Sequence, residues 1–147
     1  MLEIGNAGLS ETECRAHMSL WFLLASPLLT GNDLRNMDPA ILAILTNKEV
    51  IAVDQDTLGK QGTHVAKAGD LEIWSRLLAD GAHAVILLNR GADAALVAAE
   101  WSDLGIQGAH RVRDLWAHQD LGKVKDRYIA QVSPHGVVMI KIAKQAD

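Results

Sequence analysis

Apolar residues along the first 55 positions recur at the spacings of short buried strands and of helices. Residues 1–4 form an apolar run that ends at Gly5, which is typical of a buried strand followed by a loop. Ser10 and Glu13 then have the spacing of a capping box, in which each side chain accepts a hydrogen bond from the other residue's backbone amide. The pattern therefore predicts a strand, a loop and a helix that begins after Ser10.

The predicted helix carries a wide apolar surface. Burying one large apolar side chain is worth about 1.5–3 kcal/mol, so four of them represent roughly 6–12 kcal/mol, which is comparable with the stability of a whole domain. We therefore expect a partner or a chain segment outside this sequence to cover the helix. The four are Met18, Trp21, Phe22 and Leu24. One face of the helix carries Cys14, Met18, Trp21, Phe22 and Ala25, and Leu20, Leu23 and Leu24 widen it.

A second strand and a second helix follow. Pro27 ends the first helix, and residues 28–30 are the next strand candidate. Asp38 and Pro39 predict a helix over residues 40–45 that continues for another turn or two through residue 53. Alternating strands and helices indicate a parallel α/β fold. A parallel sheet is buried on both faces, so two strands alone cannot form one.

The period changes to two after residues 56–62, a polar stretch with two glycines. Asp80-Gly81 indicates a tight hairpin, and residues 133–136 indicate another turn. Many short strands at this spacing predict an antiparallel sandwich. We therefore expect two units, residues 1–57 and residues 58–147. The predicted strands cover residues 71–77, 84–88, 95–101, 111–116, 128–132 and 137–142.

Composition excludes several classes of function. The net charge of -4 provides no basic surface for nucleic acid. No apolar run is longer than the six residues of positions 20–25, which is far shorter than the roughly 18 residues of a membrane span. Cys14 is the only cysteine, so no intrachain disulfide forms. We expect neither a nucleic-acid partner nor a membrane partner.

Histidine and cysteine do not indicate a metal or cofactor site. His17 lies beside the apolar helix surface, where a structural role is expected, and Cys14 is expected to be a small buried apolar residue. No two of the other histidines have the paired spacing of a zinc site. We expect no metal and no cofactor. These histidines are His64, His83, His110, His118 and His135.

Three tryptophans in the second half leave two interpretations open. Trp74, Trp101 and Trp116 could form a platform on which a sugar stacks, or they could serve as core and interdomain contacts. Trp74 points away from Ile73, so we expect it to face the helical part.

Several segments are similar to glycoside hydrolase family 27. The most specific is Asn47-Lys48-Glu49-Val50-Ile51-Ala52-Val53-Asp54-Gln55-Asp56, which is followed by Leu58-Gly59-Lys60-Gln61-Gly62. Residues 1–6, 27–29, 32–35, 71–74, 114–116 and 134–136, together with Trp21, extend the resemblance over nearly the whole chain. The resemblance implies terminal βα units of a (β/α)8 barrel followed by an antiparallel β-sandwich.

The resemblance also implies an activity and the location of its chemistry. The family hydrolyses terminal α-galactosides with retention, using two aspartates whose carboxyl groups lie about 5–5.5 Å apart. Both aspartates belong to strands that precede Met1, so we expect no catalytic residue in this chain. Met1 matches a position that packs against the sugar, and it is the one residue expected to contact substrate.

Four other carboxylates invite a catalytic interpretation. Glu3 and Asp33 follow the predicted barrel strands, where such enzymes keep their chemistry. The family pattern assigns neither of them a role, and we expect Asp33 to cap a loop or to pair with Arg35. Asp54 and Asp56 lie at a helix end, where we expect them to bond turn amides.

Three functional hypotheses follow. In the first, the chain is part of an α-galactosidase, is inactive alone and needs a missing N-terminal barrel segment as its partner. In the second, it is an accessory module that binds galactose-containing saccharides through exposed tryptophans of the β domain. In the third, it is a subunit or structural remnant that completes a barrel supplied by another chain. The related α-N-acetylgalactosaminidases and pentopyranoside hydrolases share the architecture, and the sequence does not separate them.

Overall fold

The computed structural model describes residues 1–144, which form three layers. A helical layer lies on one face of a six-stranded antiparallel sheet, and a two-stranded sheet covers the other face. The helices are α1 (Glu11–Leu23), a short 3-10 helix (Leu34–Asn36), α2 (Pro39–Leu45) and α3 (Lys48–Asp54). The strands are β1 (Thr63–Ala68), β2 (Leu71–Leu77), β3 (His83–Asn89), β4 (Ala95–Glu100), β5 (Ala109–Asp114), β6 (Gln119–Lys125), β7 (Arg127–Val132) and β8 (Val137–Lys144).

Both predicted helix starts are confirmed. Ser10 Oγ accepts from the Glu13 amide at 3.2 Å, and Glu13 Oε2 accepts from the Ser10 amide at 2.8 Å, which completes the capping box of α1. Asp38 Oδ1 accepts from the Ala40 amide at 2.7 Å at the start of α2. Within residues 1–144, no helix is long and apolar enough to cross a membrane.

The predicted continuation of the second helix through residue 53 is wrong, because Asn47 begins a new helix. Its Oδ1 accepts from the amides of Glu49 and Val50 at 3.0 and 3.2 Å, which caps α3. Its Nδ2 donates to the Leu115 carbonyl at 3.1 Å. Asn47 therefore stops α2, starts α3 and connects the helical layer to the sheet.

The two predicted N-terminal strands are reduced to one parallel bridge between Leu2 and Thr30. The Leu2 amide donates to the Leu29 carbonyl at 2.7 Å. Leu2 and Ile4 are buried as predicted, whereas Glu3 is exposed. In the described part of the chain each segment has only the other as a parallel neighbour, and so isolated a pair does not form a longer ladder.

The six-stranded sheet has the order β1-β2-β3-β8-β5-β6, and the smaller sheet pairs β4 with β7. Each of the six strands predicted for the second unit is present, with ends within two residues of those expected. The hairpin at Asp80-Gly81 is confirmed, since β2 and β3 pair antiparallel and Asp80 Oδ1 accepts from the Ala82 amide at 2.9 Å.

The sequence did not predict β1 and β6, which are the two edges of the six-stranded sheet. Their residues are mostly exposed or half-buried, and neither strand alternates between apolar and polar positions over its whole length. Each also contains a register shift in its pairing. An edge strand that buries few side chains has no alternating apolar pattern by which the sequence could predict it.

Strand β3 separates two hydrophobic cores. Ala84, Ile86 and Leu88 pack with the helical layer, whereas Val85 and Leu87 pack with the small sheet. All five are at most 6% exposed. Burial on both faces explains why residues 84–88 are uniformly apolar, as the sequence predicted for a central strand.

The sheet of this chain covers much of α1. Met18 and Phe22 are 1% and 0% exposed, because α2, α3 and the face of β2, β3 and β8 all pack against the helix. The expectation that something outside the sequence must cover them is therefore wrong for these two residues. Trp21 and Leu24 remain half-buried on the other flank of α1.

A buried arginine connects β2 to the ends of two helices. The guanidinium of Arg76, which is 1% exposed, donates from Nη1 to the Phe22 carbonyl at 2.8 Å and from Nη2 to the Asp54 carbonyl at 3.3 Å. Phe22 lies in the last turn of α1 and Asp54 ends α3, where carbonyls lack intrahelical partners and the helix dipole is negative. One positive charge thus satisfies two helix C-termini.

A second ionic contact joins α3 to β5. Glu49 accepts two hydrogen bonds from Arg113, at 2.7 and 2.8 Å, and His118 Nδ1 lies 2.9 Å from the same carboxylate. The Arg113 guanidinium holds the pKa of Glu49 at about 2, against the opposing effect of burial. The pair therefore stabilises the contact between the helical layer and the sheet while Glu49 is ionised.

Replacing Arg76 tests the connection between helices and sheet. We expect Arg76→Met to lower the free energy of unfolding by about 1–3 kcal/mol, because two helix carbonyls lose a charged donor while the apolar volume is kept. Chemical denaturation measures this change in the free energy of unfolding. The control Arg111→Met alters an exposed arginine of β5 and is expected to change stability by less than about 0.5 kcal/mol. Equal effects of the two substitutions would contradict the assignment.

The Glu49 contact predicts a pH dependence of stability. The pKa of Glu49 in the folded protein, about 2, lies below its ordinary value of 4.5, so its contribution is complete above about pH 4.5 and is lost as the pH falls towards 2. We expect Glu49→Gln to destabilise the protein at about pH 6 and to have little effect at about pH 2 in urea titrations. Glu100→Gln, at an exposed pair 3.7 Å from Arg127, is the control. An equal Glu49→Gln effect at both pH values would refute the prediction.

Candidate functional site

Met1 lies at the open end of the parallel bridge. Its side chain is 68% exposed, and its Cγ and Cε lie 3.2 and 3.3 Å from the position that a Cβ on Gly31 would occupy. The same Cβ would lie 3.0 Å from the Leu2 carbonyl oxygen. Because Gly31 has no side chain, the backbone that follows Thr30 can approach Leu2 and the Met1 side chain closely.

Asn32 adds a polar group that sequence reasoning missed. Gly5, with φ of +85°, passes so close that a Cβ there would lie 2.9 Å from Asn32 Nδ2 and 3.0 Å from Ile41 Cγ2. The Oδ1 atom of Asn32 is buried and accepts no hydrogen bond from residues 1–144. The Gly-Asn-Asp sequence signals a turn, but only the packing of Gly5 on Asn32 shows that this amide faces inward.

The two carboxylates that follow the segments of the parallel bridge, Glu3 and Asp33, are already engaged. Glu3 Oε2 accepts from Asn6 Nδ2 at 2.7 Å. Asp33 accepts from the backbone amide of Arg35 at 3.0 Å and from its Nε and Nη2 at 2.9 and 2.8 Å, which confirms the predicted pairing. The Arg35 side chain lowers the pKa of Asp33. Asp33 is thus held ionised, which does not suit a general acid.

His17 has the predicted structural role. Its ring stacks on Trp21 at a centroid distance of 4.6 Å, and its Nε2 lies 3.5 Å from the Glu3 amide, for which it is an acceptor. Burial lowers the pKa of His17, which favours the neutral ring that can accept. Trp21 Nε1 donates to the Pro27 carbonyl at 3.2 Å, so the stacked His17 and Trp21 rings hold the loop at Pro27 in place.

The tryptophans do not form one platform. Trp101 is 2% exposed and lies in the core between the two sheets. Trp74 and Trp116 lie on the opposite face, against the helical layer, as predicted for Trp74. Trp116 Nε1 donates to Ser19 Oγ at 2.9 Å and Trp74 Nε1 donates to Glu72 at 3.0 Å. A sugar platform shared by the three tryptophans is therefore wrong, because Trp101 packs between the two sheets while Trp74 and Trp116 lie on the other face of the six-stranded sheet.

Trp74 nevertheless lines an open cleft of about 540 Å³ between α1 and the ends of β2 and β3. Glu72, 4% exposed, is the buried carboxylate of this cleft, and Lys67 and Arg90 approach it at 3.3 and 3.4 Å. His135, in the turn before β8, completes the rim. The cleft combines an indole with charges of both signs.

The remaining candidates have local structural roles. Asp56 accepts from the amides of Leu58 and Ala79, so it bonds turn amides as predicted and also reaches across to the loop after β2. Asp54 instead accepts from the Gln55 side chain at 2.6 Å, and burial raises its pKa. Cys14 is buried and unpaired by disulfide.

The other histidines are dispersed. Within residues 1–144 no group of three or more His, Cys, Asp or Glu side chains has the arrangement of a metal site. His64 contacts the Trp74 ring edge-on, and His83 contacts Ser75. His110 lies beside Trp101 and His118 beside Glu49.

Comparison with known proteins finds relatives across both parts. Residues 1–56 match the family described as Alpha galactosidase A, and residues 68–142 match the one described as Alpha galactosidase C-terminal beta sandwich domain. Alpha-galactosidase 2 of Arabidopsis thaliana is 45% identical over 147 residues, a match that covers 99% of this chain and 37% of the relative.

Solved structures that are similar to this chain also span both of its parts. Alpha-galactosidase I from Mortierella vinacea superposes with a TM-score of 0.95 at 37% identity, covering 99% of this chain and 39% of that one. A β-L-arabinopyranosidase from Geobacillus stearothermophilus superposes with a TM-score of 0.89 at 32% identity, covering 95% and 32%. The predicted fold class is confirmed, and the chain spans well under half the length of these proteins.

Substitution of Gly31 tests the support of Met1. We expect Gly31→Ala to lower the free energy of unfolding by about 1–3 kcal/mol, because the added methyl overpacks against the backbone of Leu2. The Met1 methyl resonance should also shift in NMR spectra. Asn36→Ala, at an exposed position of the short 3-10 helix that follows Gly31, is the control and should change neither the free energy of unfolding nor the Met1 resonance. An unshifted Met1 resonance in Gly31→Ala would show that the two residues do not touch.

Proposed function

Because the chain belongs to the alpha-galactosidase family, glycoside hydrolase family 27, we propose that it is the C-terminal part of a retaining α-galactosidase and that the catalytic carboxylates lie outside it. Its matches cover 37% and 39% of the length of two relatives named as α-galactosidases. We divide the chain into residues 1–57, the last two βα units of the barrel, and residues 58–147, the β-sandwich.

The state of the candidate carboxylates Glu3, Asp33 and Asp54 carries the proposal. Retaining hydrolysis uses one carboxyl group as nucleophile and a second that begins protonated and donates to the leaving group. Asp33 is bound by Arg35, which lowers its pKa, and Glu3 is bound by Asn6. Burial raises the pKa of Asp54, but that residue ends α3 beside the buried Arg76. None of these three suits the two-carboxylate mechanism.

The chain would instead supply one wall of the sugar pocket. Met1 is exposed and unbranched and lies close to Gly31, which supports a role in which its thioether side chain would pack against the apolar face of a galactose ring. The β-sandwich would hold the last barrel helices in position through Arg76 and Glu49. In this mechanism the chain orients the sugar, while a segment outside it performs the double displacement.

An accessory saccharide-binding role is the second candidate, and the cleft at Trp74 favours it. An indole beside carboxylate and guanidinium groups provides the stacking surface and hydrogen-bonding groups that a sugar ring uses. A barrel-completing subunit is the variant of the first proposal in which the earlier segment belongs to another chain.

A fusion experiment tests the proposal. The purified chain should not hydrolyse a chromogenic α-galactoside, whereas the chain fused behind the corresponding N-terminal segment of the Arabidopsis relative should. In that fusion Met1→Ala should lower kcat/KM by about tenfold or more, since an apolar contact to the sugar is removed. The control Leu34→Ala, at another exposed apolar residue of the barrel part, should leave kcat/KM unchanged.

Each result separates the hypotheses. Hydrolysis by the chain alone would overturn the absence of a catalytic pair. A folded fusion that is inactive on α-galactosides would overturn the assignment of activity. A change of tryptophan fluorescence on adding galactose to the chain, abolished in Glu72→Gln but not in Glu100→Gln, would establish the accessory role.

A further inference from the structure

One flank of α1 is open beside the six-stranded sheet. Glu13, Ala16 and Leu20 are three and four residues apart, so they form a single stripe along the helix. This stripe is one wall of the cleft of about 540 Å³ at Trp74, and the sheet provides the other wall. Leu24, one turn beyond Leu20, is also half-buried. The open flank therefore continues from the cleft towards the end of α1.

The order of the elements indicates which flank of α1 this is. α1 follows Leu2 and precedes Thr30, the two residues of the parallel bridge, and α2 and α3 come after Thr30. In a (β/α)8 barrel each helix lies between the preceding and the following helix, and all crossovers have the same hand. Because α2 and α3 both pack against α1, they occupy the flank of the following helix. The cleft is lined by α1, the sheet and the turn before β8, so it lies on the flank of the preceding helix.

The lining of the cleft suits one face of an amphipathic helix. Leu20 and Leu88 are apolar, and the half-buried ring of Trp74 lies with them in the lining. Arg90 and His135 are exposed at its rim. An apolar centre with a polar rim is the arrangement of a protein interface, and a barrel helix presents a matching apolar stripe.

The buried carboxylate of Glu72 distinguishes this cleft from an ordinary surface depression. Glu72 is 4% exposed, and Trp74 Nε1 donates to it at 3.0 Å. Lys67 and Arg90 pair with it at 3.3 and 3.4 Å, yet their side chains are 55% and 64% exposed. Solvent weakens such ion pairs, whereas an element that covers them and excludes water strengthens both. Docking would therefore stabilise charges that this chain already holds in place.

We propose that this cleft is the docking site of the barrel helix that directly precedes Met1 in the complete enzyme. The inference rests on the proposed function, because it requires a barrel segment before Met1, and the chain covers only 37% and 39% of two relatives that it matches. A βαβ unit needs about 30 residues or more, so the docking helix lies within roughly the 30 residues before Met1. In the accessory role, by contrast, the cleft stays open to a saccharide.

Thiol accessibility tests the docking. Arg90→Cys places a thiol at the rim of the cleft, and the control Arg127→Cys places one at an exposed position of β7, on the sheet that is remote from the helical layer. Both should react readily with a maleimide in the chain alone, where native Cys14 is buried. In the fusion with the N-terminal segment of the Arabidopsis relative, position 90 should react at least about tenfold more slowly, while position 127 keeps its rate. Peptide mass spectrometry assigns each label to its position.

Photo-cross-linking identifies the element that covers the cleft. A diazirine amino acid in place of Arg90 in the fusion should cross-link, on illumination, to peptides from roughly the 30 residues before Met1. The same amino acid in place of Arg127 should not cross-link to the added segment. Cross-links from position 90 that reach only other parts of the added segment would overturn the choice of helix.

The docking site and the proposed activity fail separately. An active fusion in which position 90 reacts as fast as in the chain alone overturns the docking site and leaves the activity intact. A folded fusion that protects position 90 but does not hydrolyse an α-galactoside overturns the proposed activity and supports the docking site.

Discussion

The guanidinium of Arg76 lies between the ends of two helices and the face of a sheet, and the packing of the helical layer depends on that position. Its 1% exposure would be unfavourable for a lone charge. The carbonyls of Phe22 and Asp54 compensate, because both belong to helix C-termini whose dipoles favour a cation. This contact fixes where α1 and α3 end relative to β2, and the apolar side chains of the first core pack around it.

The same sheet serves two cores, which explains why the two parts of the chain form one structure. Strand β3 directs Ile86 towards the helices and Leu87 towards the small sheet, so neither face is available to solvent. The β-sandwich therefore supports the last helices of the barrel part. In the proposed enzyme it would hold Met1 and its loop in place from a distance, without contributing to the chemistry.

The candidate site was only partly predictable. Local pairing such as Asp33 with Arg35 follows from residues two apart, and the sequence indicated it. The inward-facing amide of Asn32 was not predicted, because it results from the close approach of Gly5, 27 positions earlier. The sequence around each tryptophan likewise did not indicate which residues it contacts. Trp101 follows β4 of the small sheet and packs between the two sheets, whereas Trp116 follows β5 of the six-stranded sheet and packs against the helical layer.

The sequence by itself determined the features that arise from neighbouring residues or from strong apolar periodicity. These are the capping box of α1, the start of α2, the central strand β3, the hairpin at Asp80-Gly81 and the family to which the chain belongs. Only the tertiary structure decided that other elements of this chain bury Met18 and Phe22, and that β1 and β6 form the edges of the six-stranded sheet. Those features depend on contacts between residues far apart in the chain, which leave no periodic signal in any one segment.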